Sequence, residues 1–350
     1  MQNCKTILTF MGMMCFLVSD PQTARSQQKT SSSGTAQVYV VITDLALQDE
    51  KEPPRLQRED VKVRQGKNSL KVTQVILAQE DSATLQLMIL IDDTLHSSVG
   101  NNLSDIKEFI TAQPSSTLIG VGYMSNAGVQ IAQNFTADRD LAVKAVRLPR
   151  GSFSTMDSPY LSLISLVRGW PQQRVRRQVL MVTDGIDRLR GEKPQPARLG
   201  PNFGPAYHSM PSISTDATSA SEISQRNQVI VSSFYAPGVG RAGRSSWDLQ
   251  VGQSGLAKMA EETGGELFSL GTSSAVSFKP YLERFQKMLL NQYYVVFEAA
   301  PKSKAGFQRI DVRTELPNSE LLAPNNVWVP GAAESRVAGH SKREPGASGQ

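Results

Sequence analysis

The rhythm of apolar and polar positions changes twice along this chain, and each change marks a different kind of structure. Val38-Tyr39-Val40-Val41-Ile42 is a β-branched and aromatic run inside 37–47, as a strand requires. Pro53-Pro54 interrupts it. Val61 to Gly66 and Leu70 to Val75 then alternate, the period of strands with one buried face. Residues 37–80 therefore predict a small antiparallel β segment.

From Leu85 the alternation gives way to a nearly continuous apolar run, Leu85-Gln86-Leu87-Met88-Ile89-Leu90-Ile91, which stops at Asp92. A run of this kind suits a central parallel strand covered on both faces. Leu103, Ile106, Phe109 and Ile110 follow at helical spacing. Further strands are expected over 118–124, 129–135, 178–184, 229–235 and 266–270. Helices are expected over 138–146 with Thr136 as N-cap, 158–167 with Pro159 in its first turn, and 216–225. Two more span 255–262, closed by Gly264-Gly265, and 275–290, with Tyr281, Phe285, Met288 and Leu289 as an apolar stripe. The alternation over 83–291 predicts an α/β fold, a doubly wound, mostly parallel sheet flanked by helices. Strands return at 293–297 and 307–312, within a C-terminal β segment over 292–330. The ends of a domain often lie close together, so the two β flanks are expected to form one small module. The polar stretch 331–350 reads as a disordered tail. Residues 185–215, rich in Pro, Gly and Ser, exceed usual loop lengths and leave the carboxyl end of a core strand.

The first residues follow another pattern. Lys5 precedes an apolar run from Ile7 to Val18, and Ala24-Arg25-Ser26 follows in a polar stretch. A positive start, a short apolar core and small residues after it describe an export signal over 1–26, joined by a linker over 27–36. The run is shorter than the roughly 20 apolar residues of a bilayer span, so no integral span is expected in the mature chain. Both cysteines, Cys4 and Cys15, fall within the signal, and the mature chain would carry neither thiol nor disulfide. Met13-Met14 is a poor pair to precede a lipidated Cys15. The expected location is periplasmic, cell-surface or secreted.

Composition excludes more than it identifies. With 39% apolar and 20% charged residues the chain can bury a core. The net charge of +5 comes without a Lys/Arg block, so nucleic acid is not an expected partner. Among the three histidines, His96, His208 and His340, there is no H-E-x-x-H, and the sequence has no G-x-S-x-G elbow. Gly238 to Gly243 matches G-x-G-x-x-G, but Pro237 precedes it and no helix pattern follows, so it reads as a loop. Trp247 has two readings, an exposed aromatic for a partner or core packing.

Two core strands end in carboxylates, Asp92 and Asp184, and ligands of open parallel sheets bind outside such strand ends. The hydroxyl-rich loop 151–158 precedes a helix and could add oxygen ligands for a hard divalent cation. In order along the chain stand Leu90-Ile91-Asp92-Asp93-Thr94, Ser158-Pro159-Tyr160-Leu161, Val182-Thr183-Asp184-Gly185-Ile186-Asp187-Arg188, Ala260-Glu261-Glu262-Thr263-Gly264-Gly265-Glu266 and Asn291-Gln292-Tyr293. With these motifs the chain resembles the von Willebrand factor type A (VWA) domains, and more narrowly a bacterial VWFA-related, acidobacterial-type subfamily, from about Val38 to Pro330.

The resemblance implies a binding module with a metal-ion-dependent adhesion site that holds Mg2+ or Mn2+ and completes its shell with an acidic side chain of a partner protein. By position, Asp92 and Asp184 take the two carboxylate places and Thr94 the first hydroxyl. His96 stands where a second serine belongs, with Ser97 beside it as a substitute. Ser154, Thr155 and Asp157 compete for the place of the second-loop threonine. The ligand set so implied is Asp92, Thr94, His96, Ser97, Thr155 and Asp184, with Asp93 expected in solvent. The leading expectation is an exported, non-enzymatic module for protein–protein interaction or adhesion. The alternative is a metal-free assembly scaffold of the cell envelope. A metal-assisted hydrolase stands last, since only Asp93, His96 or Asp187 could supply its base.

Overall fold

The computed structural model describes residues 35–47, 52–152, 154–171, 173, 175–189, 214–237, 246–269 and 276–331. The expected signal, most of the linker, the G-x-G-x-x-G segment, nearly all of the tail and most of 185–215 lie outside these residues.

The first flank supplies β1 (Ala36–Leu45), β2 (Val61–Gln65), β3 (Asn68–Leu70) and β4 (Val72–Leu77). The α/β part then runs β5 (Leu85–Asp92), α1 (Leu103–Ala112), β6 (Thr117–Ser125), β7 (Gly128–Thr136), α2 (Arg139–Ala145), α3 (Pro159–Gly169), β8 (Arg176–Thr183), α4 (Thr215–Arg226), β9 (Val229–Tyr235), α5 (Ser246–Thr263), β10 (Leu267–Phe268) and α6 (Lys279–Leu290). The second flank adds β11 (Gln292–Ala299), β12 (Gly306–Arg309), β13 (Asp311–Thr314), β14 (Glu320–Leu322) and β15 (Asn326–Val329).

Among the described residues six strands form the central sheet, in the order β10-β9-β8-β5-β6-β7. All neighbours in it are parallel except β7, an antiparallel edge strand. Every residue of β5, β8 and β9 is buried, which is why their sequences lack alternation. One apolar core gathers α1 and α6 residues such as Ile106, Ile110, Phe285 and Met288 on one face. A second gathers Tyr160, Leu163, Ala217, Leu256 and Met259 from α3, α4 and α5 on the other. From β5 the chain builds outward through β6 and β7, then returns to place β8 on β5's other side. The strand order therefore reverses between β5 and β8, and their carboxyl ends open a crevice at that switch point.

The β flanks do form one module. β1 pairs antiparallel with β11 from Ala36↔Ala299 to Thr43↔Gln292, and β4 adds to β11's other edge. β14 joins β1, while β13 pairs with β2. Val40, Ile42, Val63, Val295 and Phe297 share a third apolar core. Arg176, at the start of β8, ties this module to the α/β part. Its Nη1 donates to the Leu289 carbonyl at the end of α6 and to Gln292 Oε1, both at 2.8 Å, and its Nη2 to the Ala83 carbonyl at 2.6 Å.

Several boundaries depart from the expectations. Asp138, not Thr136, caps α2, accepting from the amides of Asp140 and Leu141; Thr136 Oγ1 instead accepts from the Asp138 amide. α5 begins at Ser246 rather than Gly255, because Leu249 and Gly252 bury a turn in which glycine hides the apolar stripe. Trp247 consequently sits half-buried in the first turn of α5, not on a loop. The expected strand 307–312 is two strands in different sheets, parted at Ile310.

Candidate functional site

Asp92 and Asp184 reach the rim from neighbouring strands, since β5 and β8 pair in register through Ile91↔Val182. Asp92 is 3% exposed. Its Oδ1 accepts from the amide and the hydroxyl of Thr94, at 3.0 and 2.7 Å. Its Oδ2 accepts from Thr183 Oγ1 at 2.7 Å. Burial, and then the negative charge of Asp184, push the Asp92 carboxyl up to about 6 against these hydrogen bonds.

Asp184 is fully buried. Its Oδ1 accepts from the Ile186 amide at 3.0 Å, and its Oδ2 meets Arg188 Nη2 at 3.0 Å. Burial disfavours the Arg188 charge, but Asp184, Asp92 and Asp157 together hold that guanidinium above its ordinary range. The turn that carries Asp184 is pressed against α5. Gly185 has φ +69, and a Cβ there would lie 2.5 Å from the Gly252 carbonyl oxygen. Tyr160 Oη donates to the Gly185 carbonyl at 2.9 Å. Only glycine leaves room for this contact in a left-handed conformation.

Asp93 corrects the expectation of a solvated carboxylate. It is buried and held bidentately by Arg147, at 2.7 and 3.0 Å, while the Arg150 amide donates to it at 2.9 Å. The same Arg147 guanidinium lies 3.7 Å over the Tyr123 ring. Although burial acts to raise its pKa, these partners hold the Asp93 carboxyl below the usual carboxylate range. A planar fork matched to a carboxylate is the geometry at which arginine excels.

Of the three second-loop candidates, Asp157 is the one at the centre of the fold's connections. Its carboxylate accepts from the amides of Asn126 and Ser154. Its carbonyl accepts from the amides of Arg188 and Leu189, at 2.9 and 3.1 Å. Asp157 thereby joins the β6–β7 turn, the loop before α3 and the turn after β8. Thr155 is exposed at the loop tip. His96 is also exposed, and its Nδ1 accepts from the Ser98 amide at 3.1 Å, capping a short 3-10 turn. Ser97 is exposed on that turn.

The structure thus brings together Asp92, Thr94 and Asp184 from the expected ligand set, and sends His96, Ser97 and Thr155 to the surface. Around them it adds Thr183, Arg147 and Arg188, to which sequence reasoning assigned no role. Arg188 lies four residues after Asp184, a spacing that brings side chains together on a tight turn, and this was the one local signal available.

A magnesium-like ion requires several oxygen donors in near-octahedral array. Here both Asp92 oxygens face hydroxyl or amide donors, and one Asp184 oxygen faces a guanidinium. Among the described residues no group of three or more His, Cys, Asp or Glu is placed to hold a metal. With the Arg188 guanidinium on Asp184, the described donors do not fit a divalent cation.

No family model matches the sequence, and no curated protein matches it. Solved structures do. An aerotolerance-related membrane protein from Bacteroides fragilis is 13% identical over 59% of this chain and 98% of its own, at TM-score 0.39. A von Willebrand factor type A protein from Catenulispora acidiphila is 11% identical over 88% and 76%, at TM-score 0.37. The PilB minor pilin from Streptococcus sanguinis is 15% identical over 59% and 61%, at TM-score 0.36. Strand order and layering show the fold itself: a mixed α/β fold with a central, mostly parallel sheet between helices and small antiparallel sheets beside it.

Proposed function

We propose that this chain is an exported, non-catalytic binding module of the VWFA-related kind, and that it meets another protein with the loop rim above β5 and β8. One observation carries the reading. A buried layer of carboxylates at the switch point, Asp92, Asp93, Asp157 and Asp184, supports an outer layer that is basic and apolar. Arg150 is 65% exposed in its side chain. Leu148 and Met156, on the same connection between α2 and α3, are 54% and 53% exposed, large apolar groups left in water. Such a surface suits a partner that offers acidic side chains within an apolar patch, with arginine as the anchor. Export rests on the charge and hydropathy pattern of residues 1–26.

A hydrolase lacks support in the three groups that could act as its base. Asp93 is in an ion pair with Arg147, Asp187 accepts from Ser214 Oγ at 2.8 Å, and the His96 Nδ1 is engaged by a backbone amide. No helix among the described residues is long and apolar enough to cross a membrane.

The test is cross-linking capture from envelope and surface extracts with wild type and with the Arg150→Glu, Met156→Glu double variant. Both positions are exposed, but Arg150 also pairs with Asp93 at 3.7 Å, so thermal melts accompany the capture and retention is compared at a temperature where both proteins are folded. A protein retained by wild type and lost with the double variant is expected. Equal retention by the two refutes the rim as the binding face.

A further inference from the structure

We infer that Arg188 is a built-in cation that takes the place beside Asp92 and Asp184 where a divalent ion would otherwise sit, so that the rim is assembled without metal. The inference concerns how the rim is held, and it stands whatever partner the rim meets.

Two carboxylates buried side by side at adjacent strand ends need a countercharge, because burying unpaired charge is among the costliest things a fold can do. Arg188 supplies it. Its side chain is only 14% exposed and its Nη2 lies 3.0 Å from Asp184 Oδ2. Its backbone amide donates to the Asp157 carbonyl at 2.9 Å, and its Nη1 to the Ile186 carbonyl at 3.3 Å. Anchored at these points, the guanidinium is aimed into the acidic layer rather than swinging over it. Unlike a bound ion, it cannot be removed by a chelator or lost by deprotonation at ordinary pH.

The departures at the other ligand positions belong to the same arrangement. An ion in this place would have to complete its shell with the Thr94 hydroxyl and water beyond the Asp92 and Asp184 carboxylates, whereas a guanidinium needs only carboxylates and carbonyls. His96 is accordingly used as a turn cap, and Thr155 faces water. Asp92 receives the Thr94 and Thr183 hydroxyls, which satisfy an anion from the inside, while Arg188 pairs with Asp184.

The experiment compares chelator-treated full-length wild type, Arg188→Ala, and Arg188→Ala combined with Asp184→Asn. Uptake of Mn2+ is read from loss of the free-ion electron paramagnetic resonance signal, and thermal stability is followed with Mg2+ and Mn2+. The expected result is no uptake and no metal-dependent stabilisation of wild type. Arg188→Ala should take up a single Mn2+ and be stabilised by it through mass action, and the added Asp184→Asn should abolish both effects. Stoichiometric uptake of Mn2+ by wild type would overturn the inference, as would a folded Arg188→Ala that takes up none. If Arg188→Ala does not fold in chelator, recovery of folding on adding Mn2+ supports the inference and failure to recover refutes it. Partner capture is not among the readouts, so loss of the proposed binding function leaves this result unaffected.

Discussion

Thr183→Val is the most informative single change at the site. Valine keeps the β-branched shape that suits a central strand and removes only the hydroxyl. That hydroxyl donates to Asp92 Oδ2 at 2.7 Å and accepts from the Gly185 amide at 3.1 Å, in a fully buried position. A hydrogen bond to a charged group contributes about 1.5–3 kcal/mol, and the stranded Gly185 amide adds about 1 kcal/mol. The loss should therefore be about 3 kcal/mol when Asp92 is ionised. It should also depend on pH, with a definite sign. Burial and Asp184 raise the Asp92 pKa from its ordinary 3.8 to about 6. A carboxyl raised in the folded state favours folding below its unfolded pKa and loses that contribution as pH climbs through the folded one. Removing the Thr183 donor raises the folded pKa further, so in the variant the loss extends to higher pH and goes deeper. Urea unfolding at pH 5 and pH 8, with chelator present, should show a small difference between wild type and variant at pH 5 and the full difference at pH 8. An equal cost at both pH values, or a cost under about 0.5 kcal/mol at pH 8, the range of an ordinary surface change, would refute the reasoning.

Two further outcomes follow from the same geometry. Gly185→Ala and Gly66→Ala both force alanine into the left-handed region, at φ +69 and +59, but only the first puts a methyl into the α5 backbone; Gly66 has nothing within 4 Å. Left-handed strain of about 1–2 kcal/mol is common to both, and overpacking adds about 1–3 kcal/mol at Gly185 alone, so thermal melts that fall equally would contradict the tight α5 contact. Asp44 is buried, accepts from Ser319 Oγ, and has an Oδ2 without a hydrogen-bond partner among the described residues. Burial raises its pKa to about 6, so wild-type stability should increase as pH falls from 7 to 5. Asp44→Asn should melt higher than wild type at pH 8 and respond less to pH; parallel pH profiles would count against this assignment.

The fold was legible in the sequence to the extent that its physics is local. The nearly continuous apolar run Leu85–Ile91 announced a strand buried on both faces, and Gln178–Asp184 did the same for its neighbour. The helical spacing of Leu103, Ile106, Phe109 and Ile110 marked the buried face of α1. Where local signals were mixed, the reading slipped. The glycines at 252 and 255 in α5 resemble breakers, yet they are the residues that let the helix approach the Asp184 turn and the Tyr160 hydroxyl. Arg176 and Arg177 look like a polar boundary, yet they open β8 as buried residues, because the two terminal nitrogens of Arg176 meet carbonyls and an amide oxygen from distant segments.

By itself the sequence determined the period of each segment, the alternation of strands and helices, and the delivery of Asp92 and Asp184 to strand ends. These follow from rules that act between residues a few positions apart. Only the tertiary structure decided which cation each carboxylate meets: Arg147 for Asp93, 54 residues away, and Arg188 for Asp184. It alone sent His96 and Thr155 outward and made Asp157 the tie between loops. The strength of a charge interaction depends on separation in space and on burial, and neither quantity is set by position along the chain until the sheet has closed around it.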